Sequence, residues 1–453
     1  MKKLAAFLAL LLTVMLPPHA RAELFGGSEL RALSDAITEI DLERAQRLAK
    51  VSDAETPLFL TERARLLLYL GDCVGASALL SNPAVTESKD GAQMAEIARS
   101  CARATAAGFV VEDKERGIWL RLQDDADRVF APFVFAVAER ARDRIGAELG
   151  VDLPRPLRID LVRDLFSLSA VSGLPLEAAE TTGTLAVARF GRIIMLSPQA
   201  TRSGYHWEDT LAHEITHLLV TRATRDRAPL WLQEGIAKRE ETRWREVRPF
   251  DHKDWAEETA ARALRRGRGV GIDRLGQSIA MLPTPEAAAT AYAEVQSFVS
   301  YFVSQQGEAA LRLLFLDLKG LRSDDPNEAL RSVTGYDLSA WNRRWQTSLL
   351  ASAFGQAPEP PRGRGADLRD LFGQLRRVPC GGALIEHGGA LPEPVGGILG
   401  EGRVVLGDLA RLLLWNATLH QFPDAAHQTF DVNEVHGGVS SVGVVNRISS
   451  KSR

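Results

Sequence analysis

The sequence contains little cysteine and no excess of basic charge, and each shortage excludes a class of protein. Three cysteines in 453 residues are too few for a disulfide scaffold, and they exclude a metal site built from four cysteines. Lysine and arginine total 55 residues against 58 aspartate and glutamate residues, so the basic excess typical of nucleic-acid-binding proteins is missing. A composition of 45% hydrophobic and 25% charged residues is that of an ordinary globular protein, and the length predicts about two to four domains.

Residues 1–22 have the three parts of a secretory signal peptide. Lys2 and Lys3 supply positive charge, an apolar run follows over 4–16, and small residues end the segment at Ala22. The apolar run is shorter than the roughly 20 residues that span a bilayer. We therefore expect cleavage after Ala22 and a periplasmic or secreted protein with no membrane span, and an uncleaved anchor is the alternative.

Residues 23–106 are predicted to form short helices, because apolar residues recur at helical spacing in segments such as 41–50 and 60–69. The texture is similar to that of tetratricopeptide repeats, although no internal repeat of that length is present. A surface of this kind is a candidate site for a protein partner. Cys73 and Cys101 lie in this region, and in an oxidising compartment they would join two helices through a disulfide; two buried free thiols are the alternative.

Residues 107–352 are predicted to form an α+β domain, in which a small, mostly antiparallel sheet subdomain precedes a helical subdomain. Alternating apolar residues predict the strands, a long amphipathic helix is expected over 126–149, and nearly everything from Trp207 onward is expected to be helical. Residues 353–453 are predicted to be a proline- and glycine-rich linker and a tail without assignment, where Cys380 has no evident partner. The predicted strands cover 109–112, 118–122, 157–162, 184–189 and 192–196.

The segment His213–His217 reads HEITH, which is an HExxH motif. Two histidines four residues apart lie on one face of a helix, where both imidazoles can bind one metal ion, and Glu214 beside the first can serve as a general base. No proline or glycine interrupts 205–228, so the helix itself is expected. A surface helix with two solvated histidines would contain the same residues.

A third ligand is available shortly downstream of the motif. Glu234 follows His217 with 16 residues between them, in a second predicted helix that starts after Pro229. A catalytic zinc ion typically has three protein ligands, and His213, His217 and Glu234 fit a set of two histidines and one glutamate. Gly235 would let the two helices approach closely. Taken without the motif, Glu234 would be a solvated helix residue.

HExxH followed by the pattern W-x-x-E-G-x-A over 231–237 resembles the gluzincin metallopeptidases. More closely, the chain resembles the bacterial Peptidase MA-like domain proteins, which are predicted zinc metallohydrolases often found with helical repeats. The resemblance covers about 109–350. It implies a gluzincin catalytic domain over 107–352, Zn²⁺ as the cofactor and a peptide or protein as the substrate.

The resemblance also implies a second catalytic residue. The segment 292–301, followed by Gly307, resembles the part of the zinc aminopeptidase relatives that begins with their transition-state tyrosine, and the spacing of 15 residues matches. By that comparison Tyr292 donates a hydrogen bond to the oxyanion that forms on the substrate carbonyl. A purely structural role for Tyr292 is the alternative. Tyr301 is expected to pack in the core.

Two further expectations concern specificity and the surroundings of the histidines. The aminopeptidase relatives have a G-x-M-E-N signature before the zinc helix, whereas the corresponding stretch 183–189 has no carboxylate, so aminopeptidase specificity is not expected. A zinc-bound histidine usually donates its second N–H to a carboxylate or a carbonyl, and Asp209 and Glu241 are the candidates. His206 and His252 fit no ligand spacing.

Taken together, these patterns predict a secreted or periplasmic zinc-dependent peptidase in which Glu214 is the general base. One alternative is a catalytically inactive envelope adaptor whose working surface is the helical region 23–106. The other is a zinc hydrolase that acts on a bond other than a peptide bond, which the ligand set alone does not exclude.

Overall fold

The structure is a computed structural model that describes residues 18–51, 55–249, 251, 255–320 and 325–355. Most of the predicted signal peptide and nearly all of the predicted linker and tail, with Cys380, therefore lie outside the described residues. None of the helices that the structure describes is long and apolar enough to cross a membrane.

The part of the chain before the sheet is helical, as predicted, whereas its likeness to tetratricopeptide repeats stays a prediction. Helix starts are set by local capping: the Thr56 side chain accepts a hydrogen bond from the Phe59 N–H, and Asp72 does the same for Gly75. The described helices before the sheet are α1 (Pro18–Thr38), α2 (Leu42–Val51), α3 (Pro57–Leu70), α4 (Cys73–Leu79), α5 (Pro83–Thr86) and α6 (Lys89–Thr105).

A disulfide joins α4 to α6 through Cys73 and Cys101, so the predicted covalent link between two helices is confirmed. Both cysteines are buried, and they lie 28 residues apart in the sequence. The bond therefore closes a loop that contains α4, α5 and most of α6.

A five-stranded sheet follows, with the strand order β1-β2-β3-β5-β4. A short 3₁₀ turn (Asp125–Phe130) and α7 (Ala131–Leu149) separate β2 from β3, and α8 (Leu165–Ser172) and α9 (Leu176–Thr182) separate β3 from β4. The predicted hairpins are present at both edges, where β1 pairs with β2 and β4 with β5. The strands are β1 (Phe109–Asp113), β2 (Ile118–Leu122), β3 (Leu157–Val162), β4 (Ala186–Arg189) and β5 (Arg192–Leu196).

The prediction of a mostly antiparallel sheet is wrong, because two of the four pairings between these strands are parallel. β2 runs parallel to β3, with Ile118 opposite Leu157, and β3 runs parallel to β5, with Ile159 opposite Ile193. Each parallel pair is joined through helices, and such a crossover returns the chain in its original direction. The sheet is therefore mixed, and its combination with many helices is compatible with the predicted α+β class.

The second half of the described chain is mainly helical. It contains α10 (Trp207–Thr224), α11 (Leu230–Glu240), α12 (Trp255–Arg265), a 3₁₀ turn (Ile279–Met281), α13 (Pro285–Gly320), α14 (Pro326–Thr334) and α15 (Leu338–Gly355). Gly307 interrupts α13 with a φ of 79°, a backbone conformation that favours glycine. Helices α10, α11 and α13 pack on one another, and they supply the residues discussed below.

A buried group of charges lies between the sheet and the amino-terminal helices. Asp160 on β3 accepts hydrogen bonds from Arg121 and Arg192, each at 2.5 Å. The Arg192 guanidinium also lies 3.5 Å from Cys101 Sγ and 3.8 Å from Cys73 Sγ. Burial lowers the pKa of Arg192 to about 10, although Asp160 opposes this shift. The disulfide therefore abuts a cation that belongs to the sheet.

Other contacts also connect the amino-terminal helices to the rest of the described chain. Gly191, in the turn between β4 and β5, lies so close to Tyr69 of α3 that a Cβ atom there would be 2.4 Å from its ring. At the far end of α10, Arg222 donates a hydrogen bond of 2.6 Å to the Glu39 carbonyl. The hydrophobic core is accordingly continuous from the amino-terminal helices into the sheet and onward.

Candidate active site

Helix α10 contains the HExxH motif and is buried along most of its length. Glu208 and Asp209 in its first turn favour the helix by their position at the positive end of its dipole, and Arg225 ends it in a left-handed conformation. The rings of His213 and His217 lie one turn apart with their centroids 4.8 Å from each other. Both histidines therefore face the same point, as the motif predicts.

Helix α11 brings Glu234 to that point. Gly235 beside it packs against α13, where a Cβ atom would lie 2.4 Å from Val299 Cγ2 and 2.6 Å from the Val295 carbonyl oxygen. The expectation that Gly235 lets α10 and α11 approach closely is therefore wrong, because the close neighbour of Gly235 is α13. The absence of a side chain at this residue sets the depth at which Glu234 enters the site.

The three candidate ligands converge closely. Glu234 Oε2 lies 3.6 Å from His213 Nε2 and 3.5 Å from His217 Nε2, and all the possible ligand atoms lie within 4.8 Å of one another. Zinc bonds of about 2.0–2.1 Å in a tetrahedral site separate two ligand atoms by roughly 3.3 Å. The observed separations are close to that value.

The atoms of these three residues that face one another make no hydrogen bond within the described chain. Nε2 of His213, Nε2 of His217 and both carboxylate oxygens of Glu234 are buried without a hydrogen-bond partner among the described residues. Buried polar atoms without partners are costly to a fold. Two imidazole nitrogens and a carboxylate are ligands that suit zinc, so the residues present fit a zinc ion held by His213, His217 and Glu234.

The electrostatics of the site follow from burial and mutual contact. Burial opposes ionisation of Glu234, but the neighbouring His217 and His213 lower the pKa of Glu234. Burial also disfavours a charge on His213, yet Glu234 and Glu241 raise the pKa of His213 to about 9. The group thus attracts positive charge, which a bound cation would supply.

Glu214 is buried beside the candidate ligands, and its own carboxylate oxygens have no hydrogen-bond partner among the described residues. Burial raises the pKa of Glu214 to about 8; His213 opposes the shift and Glu234 adds to it. The backbone N–H of Ala188 on β4 is close enough to favour the ionised form. Glu214 therefore lies between the candidate ligands and the edge of the sheet.

Two side chains hold the outer nitrogens of the histidines. Glu241 Oε2 lies 3.1 Å from His213 Nδ1, and Gln233 Oε1 lies 3.3 Å from His217 Nδ1. These contacts fit an Nδ1–H donor on each ring, which leaves Nε2 for a metal ion. The expectation for Glu241 is met. Gln233 was not foreseen, although its place next to Glu234 on the same helix was an available signal.

The expectation that Asp209 orients His213 is wrong. Its carboxylate accepts hydrogen bonds from Arg245, at 2.7 Å and 2.6 Å, and from the Trp244 indole at 3.2 Å. His206 lies at the start of α10, outside the group of candidate ligands. His252 and the histidines at 387, 420, 427 and 436 lie outside the described residues.

Tyr292 of α13 is buried next to the site. Its ring meets the His213 ring edge-on with the centroids 6.4 Å apart, and Lys238 Nζ lies 5.7 Å from its centroid. Burial, then Glu234 and Glu214, raise the pKa of Tyr292 well above its usual value, so its hydroxyl keeps its proton. Tyr301 instead packs against Trp341, with the centroids 6.3 Å apart, which agrees with its expected place in the core.

Strand β4 forms the edge of the sheet on the side of the site. The Leu196 N–H donates to the Leu185 carbonyl at 2.9 Å, and hydrogen-bonded pairs alternate along an antiparallel ladder. The pairs of Ala186 with Met195 and Ala188 with Ile193 are therefore not hydrogen-bonded pairs. The backbone groups of Ala186 and Ala188 thus point away from β5.

The chain was also compared with known proteins. A family model described as the Peptidase MA superfamily matches residues 138–351, which include α10, α11 and α13. No curated protein and no solved structure shows a significant match to the chain. The matched segment contains the HExxH motif, and the resemblance noted in the sequence is confirmed. Residues 138–351, somewhat less than half of this chain, are therefore similar to the Peptidase MA superfamily.

Proposed function

We propose that this protein is a zinc metallopeptidase that hydrolyses peptide bonds after export to the periplasm or the cell exterior. The observation that carries the proposal is the convergence of His213, His217 and Glu234 beside the buried carboxylate of Glu214. The match of residues 138–351 to the Peptidase MA superfamily model supports the same conclusion. In this proposal the three converging residues hold zinc, and Glu214 and Tyr292 act on the substrate.

Zinc bound by these residues supplies a Lewis acid that polarises a carbonyl group and makes water a better nucleophile. Glu214 takes a proton from the attacking water at its carboxylate and then delivers it to the leaving amine. Tyr292 keeps its phenolic proton and donates a hydrogen bond to the oxyanion on the substrate carbonyl.

The edge of β4 is the proposed place for the substrate. The backbone groups of Ala186 and Ala188 point away from β5, so an extended peptide can add to the sheet as a further strand. Ala188 also neighbours Glu214, which would place the paired peptide next to the general base. A substrate without a peptide backbone could not pair with this edge.

The proposal is tested by metal analysis and by cleavage of an unbiased peptide library, with the wild type and two variants. We expect the wild type to bind about one zinc ion per chain and to cleave peptides. Glu214→Gln should retain zinc and lose cleavage by a factor of about 10² or more, because it lacks the base. Glu234→Ala should lose tight zinc binding.

Two results would contradict this function. Cleavage by Glu214→Gln at the wild-type rate would remove Glu214 as the base. Tight, stoichiometric zinc in Glu234→Ala would remove Glu234 from the ligand set. A wild type that binds zinc but cleaves no peptide would refute the peptidase function itself and leave the metal site in place.

A further inference from the structure

A pocket of about 1080 Å³ lies beside the candidate active site and includes none of its catalytic residues. Residues of α6, the end of β4, the start of α11, the loop before the second 3₁₀ turn, and α14 form its walls. Its volume is slightly above the roughly 300–1,000 Å³ that is usual for ligand pockets. The apolar part of the lining includes Ile97, Leu174, Phe190, Trp231, Leu275 and Leu330.

Two elements connect this pocket to the proposed zinc site. Trp231 in its wall is on α11, one helical turn before Glu234. Arg189 in its wall directly follows Ala188, the β4 residue that neighbours Glu214. A substrate that pairs with β4 and extends past Ala188 therefore enters the pocket.

Arg189 is the unusual residue of this pocket. Its Nε atom is buried without a hydrogen-bond partner, and no carboxylate lies within ion-pair distance of it in the described part of the chain. The guanidinium packs over the Phe190 ring, 5.1 Å from its centroid, and one terminal nitrogen lies near Gly173. Burial lowers the pKa of Arg189 to about 10, with Tyr69 opposing, so this partly exposed side chain remains charged at neutral pH.

The two buried arginines of the sheet have a carboxylate partner. Arg121 and Arg192 share the carboxylate of Asp160, as described above. Arg189 is partly withdrawn from water without an anion, which is unfavourable for a guanidinium, and its planar fork matches a carboxylate. The remaining charged residues of the lining, Lys89, Asp90 and Asp273, are exposed, so water solvates them. Arg189 is therefore the group in this pocket that gains most from an anionic ligand.

The direction of the substrate decides which anion reaches Arg189. Antiparallel pairing is the more stable mode of strand addition. In that mode the residues before the scissile bond lie toward the carboxyl end of β4, which is where Arg189 stands. A free carboxyl terminus lies after the scissile bond and so points the opposite way.

We propose that Arg189 binds the side-chain carboxylate of an aspartate or glutamate that precedes the scissile bond, and that this pocket selects acidic peptides. The inference rests on the proposed peptidase function, because it places the acidic residue relative to a scissile bond. The binding of a carboxylate by Arg189 does not itself require turnover. Arg189 is in this view a specificity residue. It takes no part in the proton transfers of Glu214.

Binding is measured with the full-length, zinc-loaded Glu214→Gln chain, which should not turn peptides over. The probes are three pools of acetylated decapeptides. The first pool has a glutamate at one fixed position and the second has a glutamine there, and both are amidated at the carboxyl terminus. The third pool has the same glutamine and a free carboxyl terminus. Mass spectrometry of the retained peptides gives relative affinities. We expect the glutamate pool to bind about tenfold to hundredfold more tightly than the glutamine pool.

The same measurement is repeated on Glu214→Gln chains with a second substitution. Arg189→Gln should abolish the glutamate preference, and Arg189→Lys should retain part of it, because a lysine keeps the charge but lacks the fork. Lys89→Gln is the matched control, since it removes another cation from the same lining, and it should retain the preference. Thermal unfolding of each chain shows that the fold is intact.

The cleavage sites of the wild type then show on which side of the scissile bond the glutamate lies. We expect glutamate to be enriched before the cleaved bond and not after it. Equal retention of the two amidated pools, a preference that survives Arg189→Gln, or a preference for the free carboxyl terminus would each overturn the inference. If Arg189 retains the glutamate pool but the wild type cleaves no pool, the peptidase function fails while the carboxylate site stands.

Discussion

At the scale of single residues, the candidate zinc site depends on side chains that hold its imidazoles. Glu241 lies between two hydrogen-bonding partners, 2.6 Å from Lys238 Nζ and 3.1 Å from His213 Nδ1. Burial opposes ionisation of Glu241, but Lys238 and then His213 lower the pKa of Glu241. A charged acceptor fixes the Nδ1–H form of His213, and its Nε2 remains free to bind metal.

We therefore predict that Glu241→Gln weakens zinc binding by about tenfold, because the amide is a poorer acceptor for the imidazole N–H. Competition with a chromophoric chelator measures the affinity. Glu258→Gln, an exposed glutamate of α12, is the control and should bind zinc as the wild type does. Unchanged affinity in Glu241→Gln would show that this contact does not tune the site.

The sequence predicts the candidate ligands better than it predicts the side chains that hold them in place. HExxH and Glu234 could be identified because one helix and one short loop fix their spacing. Asp209 seemed equally suited to hold His213, since it lies one turn earlier on the same helix. Its actual partner, Arg245, is 36 residues away, and only the folded loop after α11 brings the two together.

At the scale of elements, the interface between α11 and α13 positions Glu234. Helix α11 rests on α13 at Gly235, where a Cβ atom would clash with the Val295 carbonyl oxygen. A backbone atom cannot move aside as a flexible side chain can. The helix, and Glu234 with it, must therefore shift if any side chain is introduced there.

Gly235→Ala should lower the free energy of unfolding by about 1–3 kcal/mol, despite the better helix propensity of alanine. It should also weaken zinc binding, because Glu234 moves with the helix. Urea unfolding and zinc titration measure the two effects. Gly320→Ala, at a helix residue with open space around it, should not destabilise the fold. A fully stable Gly235→Ala chain that binds zinc normally would contradict this account of the interface.

Element types were more predictable than their directions. Alternating apolar residues located the strands closely, for example 157–162 and 192–196. The same alternation is compatible with a neighbour that runs in either direction, so the parallel pairing of β2, β3 and β5 was missed. The helices between these strands indicate the parallel direction, because a crossover through a helix returns the chain in its original direction.

At the scale of the whole molecule, acid stability depends in part on the loop that follows α11. Arg245 joins Asp209 of α10 to Asp251 through hydrogen bonds of 2.6 Å and 2.8 Å. Hydrogen bonds from Arg245 and from the Arg248 N–H lower the pKa of Asp251 to about 2. A carboxyl group with a lowered pKa stabilises the fold fully above its ordinary pKa, near 4, and this contribution is lost as the pH falls through about 2.

Asp251→Asn should accordingly lower the free energy of unfolding at pH 7, and its difference from the wild type should shrink between about pH 4 and pH 2. Urea unfolding at several pH values measures both effects. Asp152→Asn, at an exposed aspartate, is the control, and its unfolding curve should follow the wild type at every pH. A constant difference across this range would show that the ionisation of Asp251 is not responsible.

The contact between Arg192 and the disulfide has a practical consequence for fragments of this protein. A polypeptide that began at residue 107, where the predicted catalytic domain starts, would lose Cys73 and Cys101 and leave the Arg192 guanidinium uncovered at the back of the sheet. It would also expose the turn at Gly191 that Tyr69 covers. The pocket that contains Arg189 would lose the part of its wall that Ile97 forms. Such a fragment would be prone to aggregation, and its preference among substrates would not represent that of the intact chain.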